Sequence, residues 1–187
     1  MLVYFPFVAV TKNIYSLPFR KKDLICAVSH PLAHFAHFKH AIDFLLPEGT
    51  KILAPKAGKV IDMKLNSKVG GTDLKYAGGK YQNYITIKHS DGEYSQYLHL
   101  KYKGNLVKVG ENVKTGQPIA LSGNTGFSST PHLHFMVFKL NKTKIGWESL
   151  KIRFKEKLYV DRTNRPITKE QKKIADALKR IRKKLSR

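Results

Sequence analysis

The nine residues 130–138 read TPHLHFMVF. Aromatic and branched apolar residues dominate this run, which predicts a strand that packs on a core. Side chains two positions apart in a strand project to the same face, so His132 and His134 lie together, about 7 Å apart along the strand. Leu133 and Phe135 then point to the opposite face, towards the core. Two imidazoles on one face favour a metal site over a structural role for either ring.

Short β-prone runs separated by Gly and Pro fill the chain up to about residue 140 and predict a mostly β fold. YITIKH (84–89) and YSQYLHL (94–100) flank Ser90-Asp91-Gly92, which is typical of a hairpin. The Gly-rich stretch 66–80 is long for a connector and predicts a loop at the rim of a site. Further predicted strands are KILAP (51–55), KVIDMKL (59–65) and QPIALSG (117–123).

The N-terminal residues MLVYFPFVAV (1–10) are apolar but lack a basic leading region, so they are interpreted as a first strand and not as a signal peptide. No run of about 18 apolar residues is present, so the sequence predicts no transmembrane segment. Cys26 is the single cysteine, which excludes an internal disulfide and a cysteine-based metal cage.

The formal net charge of the 187 residues is +22, and residues 151–187 contribute half of it, with 15 Lys or Arg against four acids. Such a balance favours anionic partners, among them nucleic acid, anionic polymers and membrane surfaces. KIRFKEKLYV (151–160) alternates like an edge strand. A capping box at Thr168 and Gln171 then predicts an amphipathic helix. The apolar face of that helix would comprise Ile174, Leu178, Ile181 and Leu185.

Four of the eight histidines lie within residues 30–40, just before Asp43. A carboxylate among apolar neighbours is costly unless it is paired, so Asp43 is a candidate metal ligand. A catalytic zinc site needs three protein ligands and one open position, and carboxylate and imidazole both serve. A surface histidine cluster without function is the competing interpretation. In YSQYLHL, the alternation puts Ser95, Tyr97 and His99 on one strand face.

Four ordered blocks carry a resemblance to the lysostaphin-type, or LytM-type, zinc metallopeptidases. The blocks are HAIDFLLPEGTKILAPKAGKV, YITIKHSDGEYSQYLHL, VKVGENVKTGQPIALSGNTG and TPHLHFMVF, and YSLPF (15–19) resembles a lead-in strand of these domains. The resemblance implies an antiparallel β domain, the duplicated hybrid motif, over about residues 14–140. It also implies one zinc ion and cleavage of peptide bonds in peptidoglycan, next to glycine or in stem-peptide cross-links.

Carried over residue by residue, the resemblance makes Asp43 and His134 zinc ligands. It makes His99 and His132 the catalytic histidines, which accept the proton of water and stabilise the transition state. The first zinc histidine departs from the best-known pattern, because Lys39 stands four residues before the aspartate. Other members place this ligand further upstream, and His34 fits that variant. The alternatives His30, His37 and His40 stay open.

The chain is thus expected to comprise a peptidase domain with lead-in strands (1–148) and a basic extension (149–187) formed by a strand and the helix. The family implies a cell-envelope or extracellular location, peptidoglycan peptides as substrate, and anionic wall polymers as partners of the basic surface. Two other functions are considered: a catalytically silent wall-binding or regulatory domain of the same fold, and a nucleic-acid binder. No nucleic-acid motif appears, so nucleic acid is not expected to be the primary partner.

Overall fold

The structure is a computed structural model that describes residues 8–31, 34 and 36–162. Among these residues, the regular structure consists of strands and of short 3₁₀ turns at Lys21–Asp23, Ala36–Phe38 and Leu74–Tyr76. The strands are β1 Val10–Tyr15, β2 Cys26–Val28, β3 Ile42–Leu45, β4 Lys51–Leu53, β5 Gly58–Lys64, β6 Gly70–Gly71, β7 Tyr84–Lys88, β8 Glu93–Leu98, β9 Leu100–Asn105, β10 Asn112–Val113, β11 Pro118–Ser122, β12 Gly126–Phe127, β13 His132–Leu140 and β14 Trp147–Phe154. The mostly β prediction is confirmed.

The main sheet has nine strands, seven of them in the order β1-β14-β13-β8-β7-β5-β10, with β3 against β13 and β2 against β3. All its pairings are antiparallel except that of β1 with β14. β4, β11 and β9 form a second, antiparallel sheet, and β12 pairs with β6 in parallel. The first half of β13 therefore lies between β3 and β8, and its second half lies between β14 and β8.

The alternation predicted for β13 is present in the structure. Leu133, Phe135 and Val137 are fully buried in the main hydrophobic core, where the Phe135 ring lies 6.3 Å from that of Phe44 on β3. Burial of large apolar side chains of this kind stabilises a fold by about 1.5–3 kcal/mol each relative to leaving them exposed. The opposite face of the first half of β13 is thereby left for its two histidines.

The hairpin predicted around Ser90-Asp91-Gly92 is also present, since β7 and β8 pair in register from Tyr84↔Leu98 to Lys88↔Tyr94. Gly92 takes a φ of 80°, a backbone conformation that favours glycine. The lead-in strand expected at 15–19 is wrong, because β1 ends at Tyr15. The first strand expected in residues 1–10 begins only at Val10, and residues 1–7 lie outside the described chain.

The edge-strand interpretation of 151–160 is wrong in position and in neighbours. β14 begins at Trp147, ends at Phe154, and pairs with β13 on one side and β1 on the other. The parallel β1 partner comes from the far end of the chain, so local alternation could not reveal it. The helix predicted after Thr168 lies outside the described residues, and the division of the chain into 1–148 and 149–187 stays a prediction.

The stretch 66–80 is a loop region, as predicted, interrupted only by β6 and one 3₁₀ turn. Within the described ranges, no helix has the length and apolar character needed to cross a bilayer.

Candidate metal centre

The site begins with Asp43 and His134, which are paired across β3 and β13. The two side chains point to the face opposite the core, and His134 Nδ1 lies 2.9 Å from Asp43 Oδ1. His34 reaches the other carboxylate oxygen, with its Nε2 3.2 Å from Asp43 Oδ2. One carboxylate thus stands between two imidazoles.

His34 is the histidine of the segment 30–40 that the fold brings to Asp43. Its backbone N–H donates to the carbonyl of His30 at 2.8 Å. The ring of His37 instead packs against Trp147 at 4.7 Å. His40 lies on the same side as Trp147, where its backbone N–H donates to Ser149 Oγ at 3.2 Å. Within the described chain, His34, Asp43 and His134 form the one group of metal-binding type.

The three side chains fit a zinc ion. Their ligand atoms lie within 4.8 Å of one another. Tetrahedral zinc with bonds of about 2.0–2.1 Å sets its ligand atoms about 3.3 Å apart, close to the two contacts of Asp43. His134 Nε2 is buried and has no hydrogen-bond partner within the described part of the chain. Its ring is therefore held through Nδ1, the atom that contacts Asp43.

The protonation states of Asp43 and His134 suit the binding of a cation. Burial alone would raise the pKa of the Asp43 carboxyl, but hydrogen bonds from His134 and His34 outweigh it and hold the pKa well below its usual range. Burial lowers the pKa of His134, and the nearby Asp43 opposes that effect only in part. An ionised carboxylate beside a neutral imidazole is the protonation state that zinc requires of its ligands.

His99 reaches the site because the backbone changes direction at this residue. It stands between β8 and β9 with a φ of 63°, a conformation that is uncommon outside glycine and recurs at functional sites. The face expected to be shared by Ser95, Tyr97 and His99 is therefore interrupted. Tyr97 donates to or accepts from Ser95 Oγ at 2.8 Å in the interior, whereas His99 turns to the site, 4.5 Å from the His132 ring.

Backbone carbonyls fix the tautomers of both catalytic candidates. His99 Nδ1 lies 2.7 Å from the carbonyl oxygen of Thr125, and His132 Nδ1 lies 2.8 Å from that of Thr130. A carbonyl only accepts, so each Nδ1 carries the hydrogen, and Nε2 keeps its lone pair when the ring is neutral. His132 Nε2 lies 3.7 Å from Asp43 Oδ1.

Burial, reinforced by the neighbouring imidazoles of His132 and His134, lowers the pKa of His99 to about 3. His99 is therefore neutral near pH 7 and has a lone pair available. A neutral imidazole beside a metal site can accept a proton from water.

The five predicted site residues line one cleft of about 330 Å³. Sequence reasoning missed its apolar walls, which include Phe38 and Phe127. The rim loop supplies Thr72 and Gly78, as the prediction for residues 66–80 anticipates. Neither phenylalanine stands out in the sequence, because an aromatic residue on a short turn or strand more often belongs to a core.

Two buried polar residues, Tyr97 and Asn83, are structural in this fold. Tyr97 is fully buried, and its ring lies 5.3 Å from that of Phe135 in the core, at a tilted angle. Asn83 is fully buried, and its amide donates to the carbonyl oxygens of Ser67 and Leu100. Neither lines the cleft.

Comparison with known proteins gives an independent result. Residues 37–146 match the model of peptidase family M23. Lysostaphin of Staphylococcus staphylolyticus is 38% identical over 109 residues, which are 57% of this chain and 20% of lysostaphin. Peptidoglycan DD-endopeptidase ShyB of Vibrio cholerae is 37% identical over 113 residues, which are 60% of this chain and 23% of ShyB.

Among solved structures, a zinc-containing peptidase from Vibrio cholerae is similar at a TM-score of 0.51 and 29% identity, over 79% of this chain and 41% of that chain. The chain spans only about a fifth to a quarter of the length of the curated relatives it matches.

Proposed function

This chain belongs to peptidase family M23, and on that premise we propose that it is a zinc metalloendopeptidase that hydrolyses peptide bonds in peptidoglycan. The resemblance to lysostaphin stated from the sequence is confirmed by a relative of that name. The single observation that carries the proposal is the convergence of His34, Asp43 and His134 in a cleft that also holds two further histidines.

In this proposal, His34, Asp43 and His134 hold the zinc ion. Bound zinc supplies Lewis-acid polarisation of a carbonyl and makes water acidic enough to attack near neutral pH. The protein contributes the rest of the chemistry. The single carboxylate leaves a zinc site with net positive charge, which suits the negative charge that develops on a peptide carbonyl oxygen during attack.

His99 is assigned the role of proton acceptor. It is neutral near pH 7 because its pKa is lowered to about 3, and Thr125 fixes its tautomer. His132 is assigned the complementary role. When protonated, it donates to the carbonyl oxygen under attack or to the leaving amine. Its Nε2 lies 3.7 Å from Asp43 Oδ1, so the ring faces the proposed metal ligands.

The substrate class follows from the relatives and from the charge of the chain. ShyB carries peptidoglycan DD-endopeptidase in its name, which favours stem-peptide cross-links, and glycine-containing bridges are the second substrate to test. Anionic wall polymers are the proposed partners of the basic surface, since the chain carries a net charge of +22. We therefore also propose a location in the cell envelope or outside the cell. The peptidase unit is assigned to 1–148 and the basic extension to 149–187.

The deciding experiment combines metal analysis with digestion of cell walls. Purified protein should contain one zinc per chain and release new amine termini from purified peptidoglycan, and a chelator should abolish the release. Mass spectrometry of the products then identifies the bond. Zinc retention without any cleavage of cross-linked or glycine-bridged substrates would instead favour a catalytically silent domain that binds the wall.

A further inference from the structure

Ser29 lies just after β2 and contacts both segments that carry the first two metal ligands. It is buried, with 4% of its surface exposed. Its Oγ lies 2.8 Å from the carbonyl oxygen of Ala41, which precedes β3 and Asp43. The same Oγ lies 3.4 Å from His34 Nδ1. One hydroxyl thus joins the loop of His34 to the strand of Asp43.

The hydrogens of this group can be assigned from its partners. A serine hydroxyl has one hydrogen, and the Ala41 carbonyl can only accept, so the hydrogen goes to Ala41. Towards His34 the oxygen can then only accept. His34 Nδ1 therefore carries a hydrogen, which leaves Nε2, the nitrogen that faces Asp43 at 3.2 Å, as the atom that can bind a metal. That tautomer is the one needed to bind a metal beside Asp43.

Asp161 and Arg162 also contact Ser29. The backbone N–H of Ser29 donates to the carbonyl of Asp161 at 2.9 Å, and the backbone N–H of Asp161 donates to the carbonyl of Ala27 at 2.9 Å. Val28 and Asp161 form a parallel bridge. Arg162 Nη1 then donates to Ser29 Oγ at 3.4 Å, which uses the second acceptor position of that oxygen.

We propose that Ser29 is a positioning residue that fixes the tautomer and orientation of the metal ligand His34, and that the segment of Asp161 and Arg162 braces it. This inference rests on the zinc site proposed above. Ser29, His34 and this segment all lie outside residues 37–146, the part that matches the family model.

The first test measures zinc affinity of the metal-free full chain by competition with a chromophoric chelator. Ser29→Ala should weaken zinc binding about 10- to 100-fold, the usual loss when the partner of a metal-binding histidine is removed. Ser122→Ala is the matched control, because Ser122 is also buried and donates to a backbone carbonyl, that of Pro47, in the second sheet. Unchanged affinity in Ser29→Ala, with or without a loss of thermal stability, would overturn the proposal.

The second test asks whether Ser29 acts through His34. In a His34→Ala background, Ser29→Ala should cause no further loss of zinc affinity, since the ring that it positions is gone. An equal loss in both backgrounds would mean that Ser29 acts through Ala41 and Asp43, contrary to the proposal. If His34→Ala itself leaves zinc affinity unchanged, the zinc site fails, and this outcome separates the two claims.

A measurement on the unaltered protein keeps the proposal testable even if Ser29→Ala does not fold. In the zinc-loaded chain, long-range ¹H–¹⁵N NMR spectra should show a hydrogen on His34 Nδ1 and no hydrogen on Nε2. A hydrogen on Nε2 would contradict the assignment.

Discussion

His134 Nδ1 and Asp43 Oδ1 lie 2.9 Å apart, and the two residues are direct partners in the antiparallel pairing of β13 with β3. Cross-strand partners are held by the backbone ladder on both sides, so two of the three proposed ligands are fixed by the sheet itself. Asp43→Ala or His134→Ala should therefore abolish zinc retention and hydrolysis, as measured by metal content and by release of amine termini.

Asp62→Asn is the control for Asp43, because Asp62 is an exposed carboxylate whose side chain, among the described residues, accepts a hydrogen bond only from Tyr84 Oη, at 2.9 Å. It should keep both zinc and activity. Full zinc content in purified Asp43→Ala would show that the ion, if present, is bound elsewhere.

The histidine segment offers a matched pair. His34→Ala should weaken zinc binding, because it removes one of the three proposed ligands. His37→Ala should leave the zinc affinity unchanged, because the His37 ring packs on Trp147. Competition titration with a chelator gives both affinities. The assignment of His34 as the first ligand would be withdrawn if His37→Ala lost zinc and His34→Ala did not.

Substitutions of His99 and His132 should affect turnover but not zinc retention, unlike substitutions of the proposed ligands. His99→Ala or His132→Ala should retain zinc but reduce turnover by about 10²-fold or more, because each removes a group that transfers or donates a proton. Metal analysis and initial rates on the same samples measure the two effects.

Tyr97→Phe is the control on the same strand segment, because the Tyr97 hydroxyl contacts only Ser95 Oγ within the described residues. It should keep turnover within a few-fold of the starting protein. Undiminished cleavage by both histidine variants would remove the proposed proton acceptor and donor.

The sequence predicted β13 and its two faces because the alternation of period two is local. Local sequence does not determine which of the four histidines in residues 30–40 contacts Asp43. Which ring reaches Asp43 depends on long-range contacts, since the His37 ring packs on Trp147 and the His40 backbone N–H donates to Ser149 Oγ. The position of His99 was hidden for a similar reason, since nothing in YSQYLHL signals a residue with positive φ.

The two faces of β13 should also separate in experiment. Leu133 is fully buried beside His134, so Leu133→Ala should lower the free energy of unfolding by about 2–5 kcal/mol in urea denaturation. Zinc affinity of the folded protein should not change. Leu140→Ala on the same strand is the control, because Leu140 is 60% exposed, and its effect should stay within about 0.5 kcal/mol. A loss of zinc with Leu133→Ala would show that the core and the ligand face are coupled.

Stability should also depend on pH through His40. Burial, followed by the charges of Lys39 and Arg162, lowers the pKa of His40 from 6.5 to about 4. Below pH 6.5 the unfolded chain therefore takes up a proton that the folded chain excludes. The stabilisation from neutral His40 is complete above that pH and is lost as the pH falls towards 4, so the free energy of unfolding should decline over this range.

His40→Gln removes that proton uptake, so it should make the decline shallower between pH 6.5 and about 4. Urea denaturation at several pH values, with a chelator present throughout, measures the slopes without a contribution from metal release. Other buried histidines leave a residual slope, since burial also lowers the pKa of His89. The same slope in His40→Gln as in the starting protein would mean that His40 gains a proton in the folded state as readily as in the unfolded chain, contrary to its burial beside Lys39 and Arg162.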